Sequence, residues 1–166
     1  MKKRGFTLIE LLIAAAIIGA LAVLSTNAYK NSMMRGRIES GKSRARTVAA
    51  AVQRFKVDYP SSTFTGDILL PLSSLAACAV GSSVAPGQLI QCGYLDNRPW
   101  SDGYTEIEVC GAKTTGLCGN TASAVPSKKY LVCMTGTGDK MPRYNGKSNY
   151  LFCVSARGES ESGAGL

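Results

Sequence analysis

One acid and six cysteines carry most of the chemistry this sequence can offer. Glu10 lies inside a mostly apolar run from Phe6 to Leu24, directly behind Met1-Lys2-Lys3-Arg4-Gly5. An ionisable group inside a membrane span costs on the order of 2.5–3.5 kcal/mol, so a carboxylate kept there is a functional candidate by default. The cysteines, Cys78, Cys92, Cys110, Cys118, Cys133 and Cys153, are even in number and contain no Cys-x-x-Cys pair. The chain has no histidine, which excludes every zinc, triad or general-base scheme that needs an imidazole. Disulfide formation is the chemistry that remains, and it requires an oxidising compartment. There is no nucleotide loop, no pair of carboxylates in a plausible cleft and no activated nucleophile. Enzymatic activity, a cofactor and a metal are therefore not expected.

The elements that must position these groups divide the chain in two. Residues 1–59 hold eleven basic and three acidic side chains, whereas residues 60–166 hold eight of each. All six prolines lie at position 60 or beyond, as do all six cysteines and fourteen of the eighteen glycines. The first part is a basic, helix-compatible stem and the second a neutral, turn-rich head. The nineteen residues from Phe6 to Leu24 are about the length that crosses a bilayer. The Lys/Arg cluster ahead of them keeps the N-terminus cytoplasmic and sends the head outward, where disulfides persist. An ordinary secretory signal cut after Ala20-Leu21-Ala22 is the other reading, but Glu10 would be a penalty without purpose in a disposable segment.

Beyond the run, Ile38, Ala45, Val48, Val52, Phe55 and Tyr59 recur at helical spacing, with Gly41 completing the stripe. The spacing predicts a helix over 6–58, apolar over 6–24 and amphipathic over 25–58, which Tyr59-Pro60 ends. The seam is the face expected to meet the head's sheet. Lys30, Arg35, Arg37, Lys42, Arg44, Arg46, Arg54 and Lys56 are placed on the other faces. Residues 59–103 read as a long connection with a short helix at Ser73 to Val80, and Trp100 and Tyr104 are expected to pack on the core. Strands are expected at Tyr104–Cys110, Tyr130–Thr135 and Asn149–Ser155, within a sheet and disulfide region over 104–155. The Gly-, Ser- and Glu-rich tail, 156–166, reads as loose. Six cysteines allow fifteen pairings; local geometry favours Cys110–Cys118 across a Gly-containing loop and Cys133–Cys153 between adjacent strands, which leaves Cys78–Cys92 to close the connection.

Gly5-Phe6-Thr7-Leu8-Ile9-Glu10-Leu11-Leu12-Ile13 closely resembles the N-terminus of type IV prepilins and of the related pseudopilins of type II secretion. The resemblance implies an α+β pilin fold, with a long N-terminal helix packed against a C-terminal antiparallel sheet. It implies that a membrane peptidase, also an N-methyltransferase, cuts after Gly5, removes residues 1–5 and methylates the new terminal amine of Phe6. It assigns Glu10, with Phe6, to subunit assembly, and the stretch between Gly19 and Asn27 to helix unwinding in the filament. Many relatives have proline where this chain has Asn27, and asparagine weakens a helix without removing a backbone donor. The implied partners are identical subunits in a helical filament and an inner-membrane assembly platform. The implied route is from an inner-membrane precursor to an extracellular pilus.

Within this reading the chain is a pilus subunit, and the nearest alternative is a type II secretion pseudopilin. Pro99-Trp100-Ser101-Asp102-Gly103-Tyr104 resembles a segment seen before the sheet of major pseudopilins, but no acidic calcium loop follows near the C-terminus. A DNA-binding minor pilin is a third reading, since basic stripes neutralise phosphates. The neutral head and a stem buried between subunits argue against nucleic acid as a specific partner. Anionic lipid headgroups just outside the membrane are at least as good a match for the stem's charge.

Overall fold

The structure is a computed structural model, and it describes residues 7–102, 104–111, 130–136, 150–156 and 158–163. Helix α1 (Leu8–Asp58) runs through two compact units, residues 1–36 and 37–166. Within 8–58 there is no proline, and the interior glycines weaken the helix by only about 1 kcal/mol each. It stops where Pro60 disfavours helical geometry at Tyr59. The Tyr59 amide closes the last turn on the Phe55 carbonyl at 2.8 Å. Lys56, in that turn, adds a cation where the carbonyl end of the helix favours one, and it donates to the carbonyls of Pro60 and Ser62.

The second unit holds the sheet. Its strands are β1 (Thr63–Ile68), β2 (Ser83–Val84), β3 (Thr105–Cys110), β4 (Leu131–Gly136), β5 (Tyr150–Ser155) and β6 (Gly158–Gly163), with a short helix α2 (Gln88–Gln91) between β2 and β3. The order across the sheet is β2-β1-β3-β4-β5-β6. β2 runs parallel to β1, and every other neighbouring pair is antiparallel. Because side chains alternate along a strand, the register sorts two faces. Ile107, Met134 and Phe152 share one row, and Val109, Val132 and Val154 share the next. Glu108, Cys133 and Cys153 point the other way.

The apolar seam of α1 meets the first of these faces. Ile38, Ala45, Val48, Val52 and Phe55 are fully buried, as are Ile107, Val109, Val132 and Met134. Gly41 shows how close the approach is: a Cβ there would lie 3.2 Å from Met134 Cε, Met134 Cγ and Thr105 Cγ2. At the C-terminal end of the seam, the Phe55 ring packs on Tyr59, Phe64 and Tyr94 with centroids 5.0–5.4 Å apart. Tyr94 also donates its hydroxyl to Asp58. That bond would be lost on ionisation, so the phenol's pKa is pushed up to about 12.

Five sequence expectations are corrected. Residues 73–80 form no helix. Leu75 there is exposed and has no face to bury, and a short isolated turn is marginal without one; the helical turn falls instead at α2, which buries Leu89 and Ile90. The 59–103 connection contains β1 and β2. Gly66-Asp67 interrupt the alternation of β1, and its register on β3 shifts between Thr65 and Asp67. The tail is not loose over 158–163, since β6 pairs with the full length of β5. Gly158 starts β6 at φ +134, a backbone conformation open to glycine.

The fourth correction concerns the stem's cations, several of which face the sheet. Arg44 donates from Nη1 to the Trp100 carbonyl at 3.0 Å, and from Nη2 to Asp102 at 2.6 Å and Thr105 Oγ1 at 2.7 Å. Arg46 forms a two-pronged pair with Glu159 at 2.7 and 2.9 Å and lies over the Phe152 ring. Lys42 is buried beside Tyr150 and Phe152 and pairs with Glu39 at 3.1 Å. Fifth, Trp100 is buried, but Tyr104 is exposed at the surface under the Arg37 guanidinium, 3.5 Å from its centroid.

Candidate functional site

The first turn of α1 is built by Thr7 and Glu10. Thr7 donates from its backbone N–H and from Oγ1 to Glu10 Oε2, each at 2.9 Å. The Glu10 N–H returns a longer bond to Thr7 Oγ1 at 3.4 Å. Thr7 occupies the position just before Leu8, where α1 begins, so this is the reciprocal S/T-x-x-E capping box, which satisfies amides that the helix leaves unpaired. The carboxylate also sits where the positive end of the helix dipole favours an anion. Thr7-Leu8-Ile9-Glu10 shows that spacing in the sequence, and a reading centred on the membrane run passes over it.

Behind this cap the helix is apolar on every side. Leu8, Ile9, Leu11, Leu12, Ile13, Ile17, Ile18, Leu21 and Val23 are all more than half exposed. This part of α1 is long and apolar enough to cross a membrane, with a mean hydropathy of 2.5 over its best window and none of that window buried within the chain. An apolar helix that its own chain leaves uncovered must be covered by lipid or by other molecules. Helix α1 continues unbroken through Gly19 and Asn27, and a Cβ at Gly19 would meet nothing within 4 Å. Gly5 and Phe6 lie outside the described residues, as does Cys118.

The cysteines form a separate constellation. Cys133 and Cys153 are directly opposed on β4 and β5 with Cα atoms 4.1 Å apart, and they are disulfide-bonded. A close, directly opposed pair of this kind brings two Cβ atoms within bridging range. Cys78 and Cys92 are bonded with Cα atoms 4.7 Å apart, which ties the apolar stretch after Leu72 to the end of α2. Cys110 is disulfide-bonded as well, and it packs with Cys133, Cys153, Leu131 and Leu151 on the sheet face opposite the seam. Among the described residues, no three His, Cys, Asp or Glu side chains converge on a metal position.

A capped apolar helix continuing into a disulfide-bonded α+β unit fits a protein held by its N-terminus in a membrane. Residues 1–26 match the prokaryotic N-terminal methylation motif, so the chain carries the prepilin leader of type IV pilins and pseudopilins, in keeping with a membrane-anchored precursor. Its long helix packed against an antiparallel-rich sheet is the layout of a pilin. No solved structure matches the chain.

Proposed function

We propose that this chain is a structural subunit of a type IV pilus and not an enzyme. One observation carries the reading: an apolar helix segment stands uncovered by its own chain directly behind a prepilin leader. In the membrane, lipid covers it; after assembly, the same segment of neighbouring subunits does. Cleavage after Gly5 leaves a positive amine on Phe6, which becomes methylated. Glu10 of one subunit then neutralises that amine on its neighbour. Two unit charges about 4 Å apart attract by roughly 4 kcal/mol at an effective dielectric of about 20. That is comparable to the cost of holding a lone acid in lipid, so pairing turns the penalty into a driving force for one docking register. The stretch from Gly19 to Asn27, with no proline to kink it, is where the helix would unwind to fit the filament.

The test is to shear cells that produce the chain and analyse the released material. Long fibres containing the chain, with an intact mass that begins at methylated Phe6, support the pilus subunit. Retention in the cell envelope together with failure to export a secreted protein on deletion would instead establish the pseudopilin. Cleavage after Ala22 would overturn both readings.

A further inference from the structure

Lys30 and Arg35, which follow the apolar run, take no part in the described capping of α1 or packing of the sheet. From Leu11 to Ile38 the sequence has no acid, and its cations are Lys30, Arg35 and Arg37. Arg37 is engaged with the Tyr104 ring. Lys30 and Arg35 are exposed on α1, next to Tyr29 and Met33, which are exposed as well. At about 1.5 Å per residue, Tyr29 lies about 7 Å and Lys30 about 9 Å beyond Leu24, the end of the run. The headgroup layer of a bilayer is about 5–7 Å thick on each side. Side chains on a helix lean toward its N-terminus, so Lys30 reaches back to that layer, whereas Arg35, about 16 Å beyond Leu24, lies outside it. An amphipathic tyrosine at this depth is the usual interfacial anchor.

We infer that Tyr29 and Lys30 form a collar that binds anionic phospholipid headgroups in the leaflet opposite the leader and fixes the depth of the helix before assembly. The inference rests on the membrane-anchored precursor. Its chemistry is cation to phosphodiester, supplied by the bilayer surface, and the acid-free stretch leaves nothing within the segment to oppose it. The collar would hold the outer end of the run while Glu10 stays near the inner boundary.

The full-length chain is reconstituted in phosphatidylcholine vesicles carrying a trace of spin-labelled phosphatidylglycerol or of spin-labelled phosphatidylcholine. Electron paramagnetic resonance then measures how much of each lipid is immobilised on the helix. The wild-type chain is expected to favour phosphatidylglycerol, Lys30→Gln to lower that preference by roughly fivefold at low salt, and Arg35→Gln, farther from the surface, to lower it less. About 1 M salt should also lower it, because it shortens the screening length to about 3 Å. A Lys2→Gln/Lys3→Gln/Arg4→Gln variant reports the leader's share and should keep the collar's. Equal immobilisation of the two lipids, or a preference in the leader-substituted chain that Lys30→Gln leaves undiminished, overturns the collar alone. A chain that does not float with the vesicles and immobilises neither lipid overturns the membrane-anchored reading beneath it. Both substituted side chains are exposed, and formation of Cys78–Cys92 and Cys133–Cys153 verifies that the variant has folded.

Discussion

On the proposed function Glu10 would serve two ends, which a single substitution confounds. As a capping residue it accepts two bonds from Thr7; as a charge it would meet the Phe6 amine of a neighbour. Glu10→Gln keeps a capping-competent side chain and loses the charge, whereas Thr7→Ala keeps the charge and loses the cap, at a cost of about 0.5–2 kcal/mol to the helix end. If charge pairing drives assembly, Glu10→Gln should abolish filaments, as should Glu10→Leu, while Thr7→Ala should still assemble. Filament yield from sheared cells, with each variant as the sole subunit, decides this; abundant filaments from Glu10→Gln would make the cap the essential function. Asp102 is a second residue with a defined electrostatic task. Its partial burial raises its pKa, but the Thr105 and Tyr104 amides and the Arg44 guanidinium outweigh that and hold it below the ordinary aspartate value. A depressed carboxylate contributes stability above its unfolded value, near 3.8, and loses it as the pH falls through the lower folded value. The stability difference between the wild type and Asp102→Asn should therefore be constant from neutral pH to about 5 and shrink below about 4 in denaturant titrations.

Among the elements, the contact between α1 and the sheet gives opposite expectations for two glycines. Nothing lies within 4 Å of a Cβ at Gly36, whereas one at Gly41 is already crowded by Met134 and Thr105. Gly36→Ala should stabilise the helix by up to about 1 kcal/mol, and Gly41→Leu should destabilise the packed unit by about 1–3 kcal/mol. Thermal unfolding of the full chain in detergent compares them, and a neutral Gly41→Leu would mean that the seam is loosely packed. The seam is legible in the sequence because its period is local: Ile38, Ala45, Val48, Val52 and Phe55 lie three, four or seven residues apart. Strands β3 and β5 are legible from their β-branched and aromatic residues. Strand β6 is not, because Gly158-Glu159-Ser160-Glu161-Ser162-Gly163 has the composition of a tail, and its pairing is decided by β5. The Arg44–Asp102 pair is hidden for a similar reason, since its partners are 58 residues apart. At the candidate site, the position of Glu10 in the run is visible from sequence, and its bonds to Thr7 are visible only to a reader who looks for a helix start at that point.

On the proposed function, the molecule would separate folding from assembly along its length. Every buried hydrophobic residue among those described lies at Ile38 or beyond, and the ion pairs and disulfides described lie beyond that point as well. Among the described residues before it none is fully buried, and the contact of Arg37 with Tyr104 is at the boundary. An element that adds no burial adds little to the stability of the rest, because burial is the main favourable term in folding. A chain that lacks residues 1–28 should therefore be soluble, form its disulfides in an oxidising compartment and unfold within a few degrees of the full-length protein, since loss of about 1 kcal/mol would already shift the midpoint by roughly 2–8 °C. The shortened chain should stay monomeric at concentrations where the full-length subunit assembles, because the apolar surface that needs covering has gone with the first 28 residues. Size-exclusion chromatography and calorimetry of the secreted truncation measure both properties. A truncation that aggregates or melts far below the full-length chain would show that the apolar segment helps to hold the fold and does not serve assembly alone.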